Sequence, residues 1–353
     1  MTSSRGARIA RRFLPVILVA LAAVMAWQAG RSSADDGAAA AGGPARPEVD
    51  EDSLRRYLEA FALDGQAREV LLRPGDWDDD RLAVAVRTLA RLCLAPPGLA
   101  EGWRLAAAPE GEIAAARADR LVRVRGRARF VAPLRTPVPM ALVPESAEGE
   151  PKADVDLVRI ETDAGATVDV LTPAAPRAWP RWEALDLPCS AWGLPLSERT
   201  GPRPAAGGDA VWPDGPPALV LAAPRVAWQA PGLAGEAGFD AGLLDAVVDS
   251  RRLTAEDADA FYGLLAAAGT AGGGAIAAAA GPPRPIIPII DPSQRWFDRH
   301  RGEPVAVEGT ALRATRVEID DAWRRRQTGL DHYWELFVFV PTPPIEVAGK
   351  VQD

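Results

Sequence analysis

The chain has 353 residues, 48% of them hydrophobic and 25% charged, which supplies enough apolar material for two ordinary domains with their own cores and excludes a wholly disordered or fibrous protein. Its formal net charge of −8 excludes a general affinity for nucleic acid or anionic lipid, whose phosphates would be repelled at long range, so no nucleic-acid partner is expected. Lys152 and Lys350 are the only lysines among 40 basic side chains, and beside 33 prolines and 32 glycines that skew reads as compositional bias, which weakens any single arginine as a functional signal.

Arg5, Arg8, Arg11 and Arg12 precede an uncharged apolar run over residues 13–29, and Gly30-Arg31 and the acidic pair Asp35-Asp36 come after it. The run is long for a signal-peptide core and just long enough to cross roughly 30 Å of hydrocarbon as a helix. It is read as an uncleaved signal anchor, a single-pass transmembrane helix in the cell membrane. The arginines would stay in the cytoplasm, Trp27 would sit at the interface, and the bulk of the chain would lie in an extracytoplasmic, periplasmic-type space. Ser32-Ser33-Ala34 keeps cleavage open as the alternative. The chain then divides into a basic tail and anchor over residues 1–34, a disordered Ala/Gly/Pro linker over 35–50, a helical segment plus small barrel over 51–232, and a helical segment, linker and second sheet over 233–353.

Leu54, Leu58 and Phe61 share a helical face that Ser53 can cap. A second helix is expected from about Asp78 to Leu94, with Asp78, Asp79 and Asp80 at the positive end of its dipole and Pro96-Pro97-Gly98 ending it. Asp76, Asp78 and Asp80 also have the spacing of a calcium loop. Arg81 and Arg87 stand where that loop needs a glycine and a bidentate glutamate, so capping is the reading, and no metal or other cofactor is expected. Cys93 continues the stripe Leu82, Val86, Leu89 as a buried thiol. An oxidising compartment would permit it to pair with Cys189, the only other cysteine, and spacing alone does not decide between the two.

Residues 120–130, Arg-Leu-Val-Arg-Val-Arg-Gly-Arg-Ala-Arg-Phe, alternate strictly, which predicts a half-buried strand with a bend at its central glycine. Strands over 155–161 and 166–172 flank the turn Asp163-Ala164-Gly165, and a long Pro- and Trp-rich connection leads to an apolar strand over 218–228. Over about residues 118–230, this order of curled strand, hairpin, excursion and returning strand resembles the five-stranded Greek-key barrel called the OB-fold, in topology and without a family motif.

Val122, Val124, Gly126 and Ala128 recur as Val305, Val307, Gly309 and Ala311, and Val168-x-Val170-x-Thr172-Pro173 recurs as Val338-x-Val340-x-Thr342-Pro343. Ahead of the second copy, Thr254 and Asp257 form a variant capping box before a helix through Phe261, Leu264 and Leu265, and a low-complexity linker over 269–285 follows. The expected fold class is α+β. An N-terminal transmembrane helix precedes two helix-plus-small-β-barrel, OB-like units, the second shorter and incomplete, with an edge that a protein partner can extend by strand addition.

For nucleophilic or general acid–base catalysis the sequence offers only His300 and His332, with no G-x-S-x-G elbow, phosphate loop or H-E-x-x-H pair. The protein is therefore read as non-enzymatic, an envelope scaffold or interaction protein, with no catalytic and no metal-binding residues assigned. The alternative is a glycan- or polymer-binding module. Its candidate ligand-binding residues are Arg123, Arg125, Arg127 and Arg129, spaced about 7 Å along one strand face, and Trp179, Trp182, Trp192 and Trp212 of the long connection, which can stack on sugars or bases. Against it stand neutralisation of the arginines by cross-strand acids such as Glu161 or Asp169, and burial of the tryptophans as a satellite core.

Overall fold

The computed structural model describes residues 52–60, 63, 65–73, 77–109, 120–134, 155–199, 218–248, 252–291, 296, 300, 302–341, 345–347 and 350–352. The apolar run over 13–29, the linker over 35–50, Asp76, Trp212 and Thr342-Pro343 lie outside the described residues. Among those described, no single helix is long and apolar enough to cross a membrane. The described residues form a mixed α and β structure with one six-stranded sheet and two small two-stranded ones. Its contacts divide it into a unit that ends at Asp245 and a unit that begins at Ala246.

The first unit opens with helices α1 (Asp52–Glu59), α2 (Gly65–Leu72), α3 (Asp79–Cys93) and α4 (Pro97–Ala106). Asp78 caps α3 as expected: its backbone is extended and its Oδ1 accepts the Arg81 N–H at 2.8 Å, which satisfies one of the orphan donors of the first turn. Ser53 does not cap. It lies inside the first turn of α1, where its hydroxyl accepts the Trp103 indole N–H of α4 at 2.9 Å and ties the first helix to the last. Leu82, Val86 and Leu89 are buried along one face of α3, and Cys93 packs at the edge of the same core.

Strands β1 (Val122–Leu134), β2 (Val155–Thr162), β3 (Thr167–Thr172), β4 (Ala184–Arg199) and β5 (Ala218–Ala222) pair in the order β1-β2-β3-β5-β4, and β4 returns to β1, so the five form a closed ring. Only the β3–β5 pair is parallel. The turn at Asp163-Ala164-Gly165 is formed as read, with Gly165 at φ +81°. Val122, Val124 and Ala128 point into the ring with Val158, Ile160, Val168, Val170 and Leu221, while Ala132, Leu134, Leu157, Leu171 and Val220 face the helices. A short sixth strand, β6 (Val226–Trp228), adds to β4 because the chain breaks at residues 223–225 instead of running straight through 228. The unit extends beyond Gly232: a short helix α5 (Leu233–Glu236) leads to Asp240, which accepts the Trp228 N–H at 2.9 Å, and Asp245 accepts the Arg177 N–H at 2.7 Å.

The long connection after β3 contains β4, sixteen residues long, and not only loop. Pro188 and Pro195 within it argue against a strand by composition, yet Pro188 stands opposite Arg127 and Pro195 opposite Leu221, beside a register shift that absorbs the missing donor.

In the second unit the Thr254/Asp257 capping box is formed, with the Thr254 N–H donating to Asp257 at 2.7 Å ahead of α6 (Ala258–Ala271). The expected linker is partly helical: α7 (Gly273–Ala280) follows Gly272, whose φ of +76° separates the two helices, because a run of alanines favours helix once a turn has set its direction. Helix α8 (Ile287–Ile290) follows. Val305 and Val307 are not in a strand. The strand β7 spans Thr310–Glu318 and pairs antiparallel with β8 (His332–Phe339) across a connection that carries α9 (Ala322–Thr328). Strands β9 (Ile345–Val347) and β10 (Lys350–Gln352) form a separate small pair.

The two hairpins share one irregularity. The β1–β2 register shifts between Ala128 and Phe130, and the β7–β8 register shifts between Ala311 and Arg313, the positions that the sequence repeat superposes. Val338, however, stands opposite Ala311 as Ile160 stands opposite Ala128, so β8 occupies the place of β2, not that of β3.

Candidate functional site

Period-two alternation places Arg123, Arg125, Arg127 and Arg129 on the outer face of β1, and each finds a partner. Arg123 donates to the Arg104 carbonyl at 3.0 Å. Arg125 lies 3.8 Å from Asp163 with its side chain 78% exposed, the loosest of the set. Arg127 holds Asp186 of β4 through Nη2 at 2.8 Å, and Arg129 donates to Glu161 at 2.8 Å while also touching Asp186. Asp186 is thus shared by two guanidiniums, and the hydrogen bond from Arg127 holds its carboxyl below the ordinary carboxylate range. Glu161 meets one arginine of the row, Arg129, while Asp186 and Asp163 meet its neighbours.

Asp169 is instead fully buried and pairs with Arg159 of β2, with Nε to Oδ1 at 2.9 Å and Nη2 to Oδ2 at 3.2 Å. This fork-to-fork pair crosses β2 and β3 on the same face as Leu157 and Leu171, an arrangement in which removing either partner strands a charge away from water.

The tryptophans fall into two cores. Trp179 is 2% exposed, belongs to the interior of the ring and meets Trp228 edge-on at 6.3 Å. Trp182 has φ +65°, a conformation held by its N–H donating to the Val131 carbonyl at 2.9 Å and by edge contact with Phe130 at 6.1 Å. Trp192 is on β4 opposite Arg123, and like Trp182 it packs half-buried against the helical core. Trp212 lies outside the described residues. Cys93 and Cys189 are free and belong to different cores, and burial pushes both thiols up to about 12.

Each histidine has a carboxylate neighbour. His300 stacks on Trp296 at 4.4 Å and its Nδ1 is 2.7 Å from Glu303. His332 lies 2.5 Å from Asp331, whose carboxyl is held low chiefly by that hydrogen bond. Among the described residues no three His, Cys, Asp or Glu side chains gather as a metal site. A hollow of about 420 Å³ in the second unit is lined, among the described residues, by Pro282, Pro283, Arg284, Pro285, Pro288, Ile289 and Trp296, Arg284 being the charged one of these.

The second unit carries the two-stranded β7–β8 ribbon. Residues 332–338 of β8 are half-buried, and Phe339 (59%) and Leu312 (70%) are exposed. Tyr333 meets Phe261 of α6 at 5.3 Å, so the helix covers the odd-numbered face of β8 at that end, and Arg313 stacks over Phe337 at 5.6 Å on the same face. Trp334, Leu336 and Val338 make the other face with Ala311 and Ala314. Among the described residues neither outer edge of the ribbon pairs with another strand. The aromatic and β-branched run from Tyr333 to Val340 reads as a strand from sequence alone, and the structure forms it as β8 over His332–Phe339. Comparison of the chain with protein-family models, curated proteins and solved structures finds no match.

Proposed function

We propose that the protein is a membrane-anchored, extracytoplasmic, non-enzymatic scaffold that binds protein, with an OB-type barrel as its first unit and an incomplete second unit that offers strand edges. The observation that carries this reading is the ribbon: an eight-residue strand rich in aromatic and aliphatic side chains, without a neighbour on its outer edge among the described residues. Such edges are templates for another strand. The ring order, with a parallel β3–β5 pair and closure through β1–β4, supports the OB-type assignment. Anchorage rests on the arginines that precede the apolar run.

Crosslinking of the full chain in its native membrane, followed by identification of what is attached, tests the proposal. A stoichiometric protein adduct mapping to residues 310–339 supports it, and recovery of a bound sugar alone overturns it. The polymer-binding reading draws on Arg125, which is largely exposed and weakly paired. It requires retention on an anionic polymer at physiological salt that Arg125→Ala abolishes.

A further inference from the structure

The partner that the β8 edge fits is a second copy of itself. We propose that two chains associate through antiparallel pairing of β8 with β8, centred on Leu336, to give a continuous four-stranded sheet β7-β8-β8-β7. The inference rests on the interaction reading above and names its partner.

Register carries the argument. With Leu336 on the two-fold axis, Trp334 stands opposite Val338 of the other copy and Tyr333 opposite Phe339. Aromatic–aromatic and aromatic–β-branched pairs of this kind are the favourable cross-strand contacts, and the pairing covers Phe339. Side chains opposite one another share a face, so Trp334, Leu336 and Val338 from both copies merge into a single apolar stripe.

Charge agrees. Glu335 is the only carboxylate in β8, and in this register it faces Phe337 of the other copy, over which that copy's Arg313 is stacked. Among the described residues no ion pair joins Glu335 or Arg313 within its own chain, Arg313 instead donating to Thr315 at 3.1 Å and stacking over Phe337. The pairing sets each Glu335 beside the Arg313-covered Phe337 of the other copy, twice by symmetry.

The opposite edge is unsuited. The strand β7 carries the register shift at Ala311/Arg313, and centring it on Ala314 would set Leu312 against Arg316 and Arg313 against Thr315. The strand β8 is regular and has no lysine or proline to block addition.

Cysteine placed on the axis reads the register directly. In the full chain, Leu336→Cys should form a disulfide-linked dimer on mild oxidation, because directly opposed residues have Cα atoms about 5 Å apart. Glu335→Cys should give about tenfold less, since its two copies are offset along the strands by more than a disulfide spans. Wild type, whose two thiols are in the cores, is the control. Glu335→Arg should weaken the dimer measured by light scattering, and Glu335→Arg with Arg313→Glu should restore it. A Leu336→Cys chain that stays uncrosslinked, or a Glu335→Cys chain that crosslinks equally well, overturns the inference. The scaffold reading would fail separately, by the absence of any protein adduct at the ribbon.

Discussion

Gly126 of β1 presses directly on the main chain of Glu161: a Cβ at position 126 would stand 2.1 Å from the Glu161 carbonyl oxygen and 2.6 Å from the Thr162 Cα. Both obstacles are backbone in a closed ring and cannot swing aside. Gly126→Ala should therefore destabilise the first unit by about 3 kcal/mol or more. At the corresponding Gly309, a Cβ would meet the Phe339 oxygen at 2.6 Å and a Val338 methyl at 2.7 Å, but the ribbon there is open and can give, so Gly309→Ala should cost about 1 kcal/mol. Urea unfolding of both variants checks the ranking, and equal costs would mean that ring closure does not stiffen β1.

The Arg159–Asp169 pair sets a second expectation. Its side chains are 8% and 0% exposed, so Asp169→Leu leaves a guanidinium without its carboxylate in a dry layer and should cost about 3–5 kcal/mol. Replacing both, as Arg159→Met with Asp169→Leu, removes the stranded charge and should recover most of that loss. A double-mutant cycle by denaturant titration measures the coupling, and additive single costs would count against a buried pair.

How far these features were legible depends on which force places them. Alternation in β1 and the aspartates before α3 are local signals, so the strand, its arginine face and the cap could be read directly. The strand β4 was hidden because its prolines contradict strand propensity, and only the closure of the ring overrides them. Asp169 and Trp179 look like surface and ligand groups in sequence, and their burial follows from which strands become neighbours, a long-range fact with no local trace. The repeat was half legible: Gly309 keeps its close approach and its register shift, whereas the valines before it did not become strand.

The two thiols should be inert in the folded chain. Burial pushes both up to about 12, so at pH 8 roughly one part in ten thousand is thiolate, the form that reacts. Intact-mass measurement after iodoacetamide treatment should show no adduct without denaturant and two adducts with it. A disulfide between Cys93 and Cys189, seen as no adduct under either condition until reduction, would contradict their placement in separate cores.

Asp240 gives the pH dependence a sign. Its Oδ1 accepts the N–H groups of Trp228 and Gly242, each at 2.9 Å, and its Oδ2 lies 2.9 Å from the Arg225 Nε. Burial raises its carboxyl above the ordinary value of 3.8, and Arg225 and the two N–H groups only partly oppose this. A carboxyl raised by folding holds its proton more tightly in the folded chain than in the unfolded one. Its contribution is therefore fully present below pH 3.8 and is lost as the pH climbs through the raised value. Asp240→Asn keeps the Oδ1 acceptor and removes the titration. Urea midpoints for the first unit should show wild type losing ground to the variant between pH 4 and pH 7, and parallel pH profiles would mean that Arg225 and the backbone donors, not burial, govern this carboxylate.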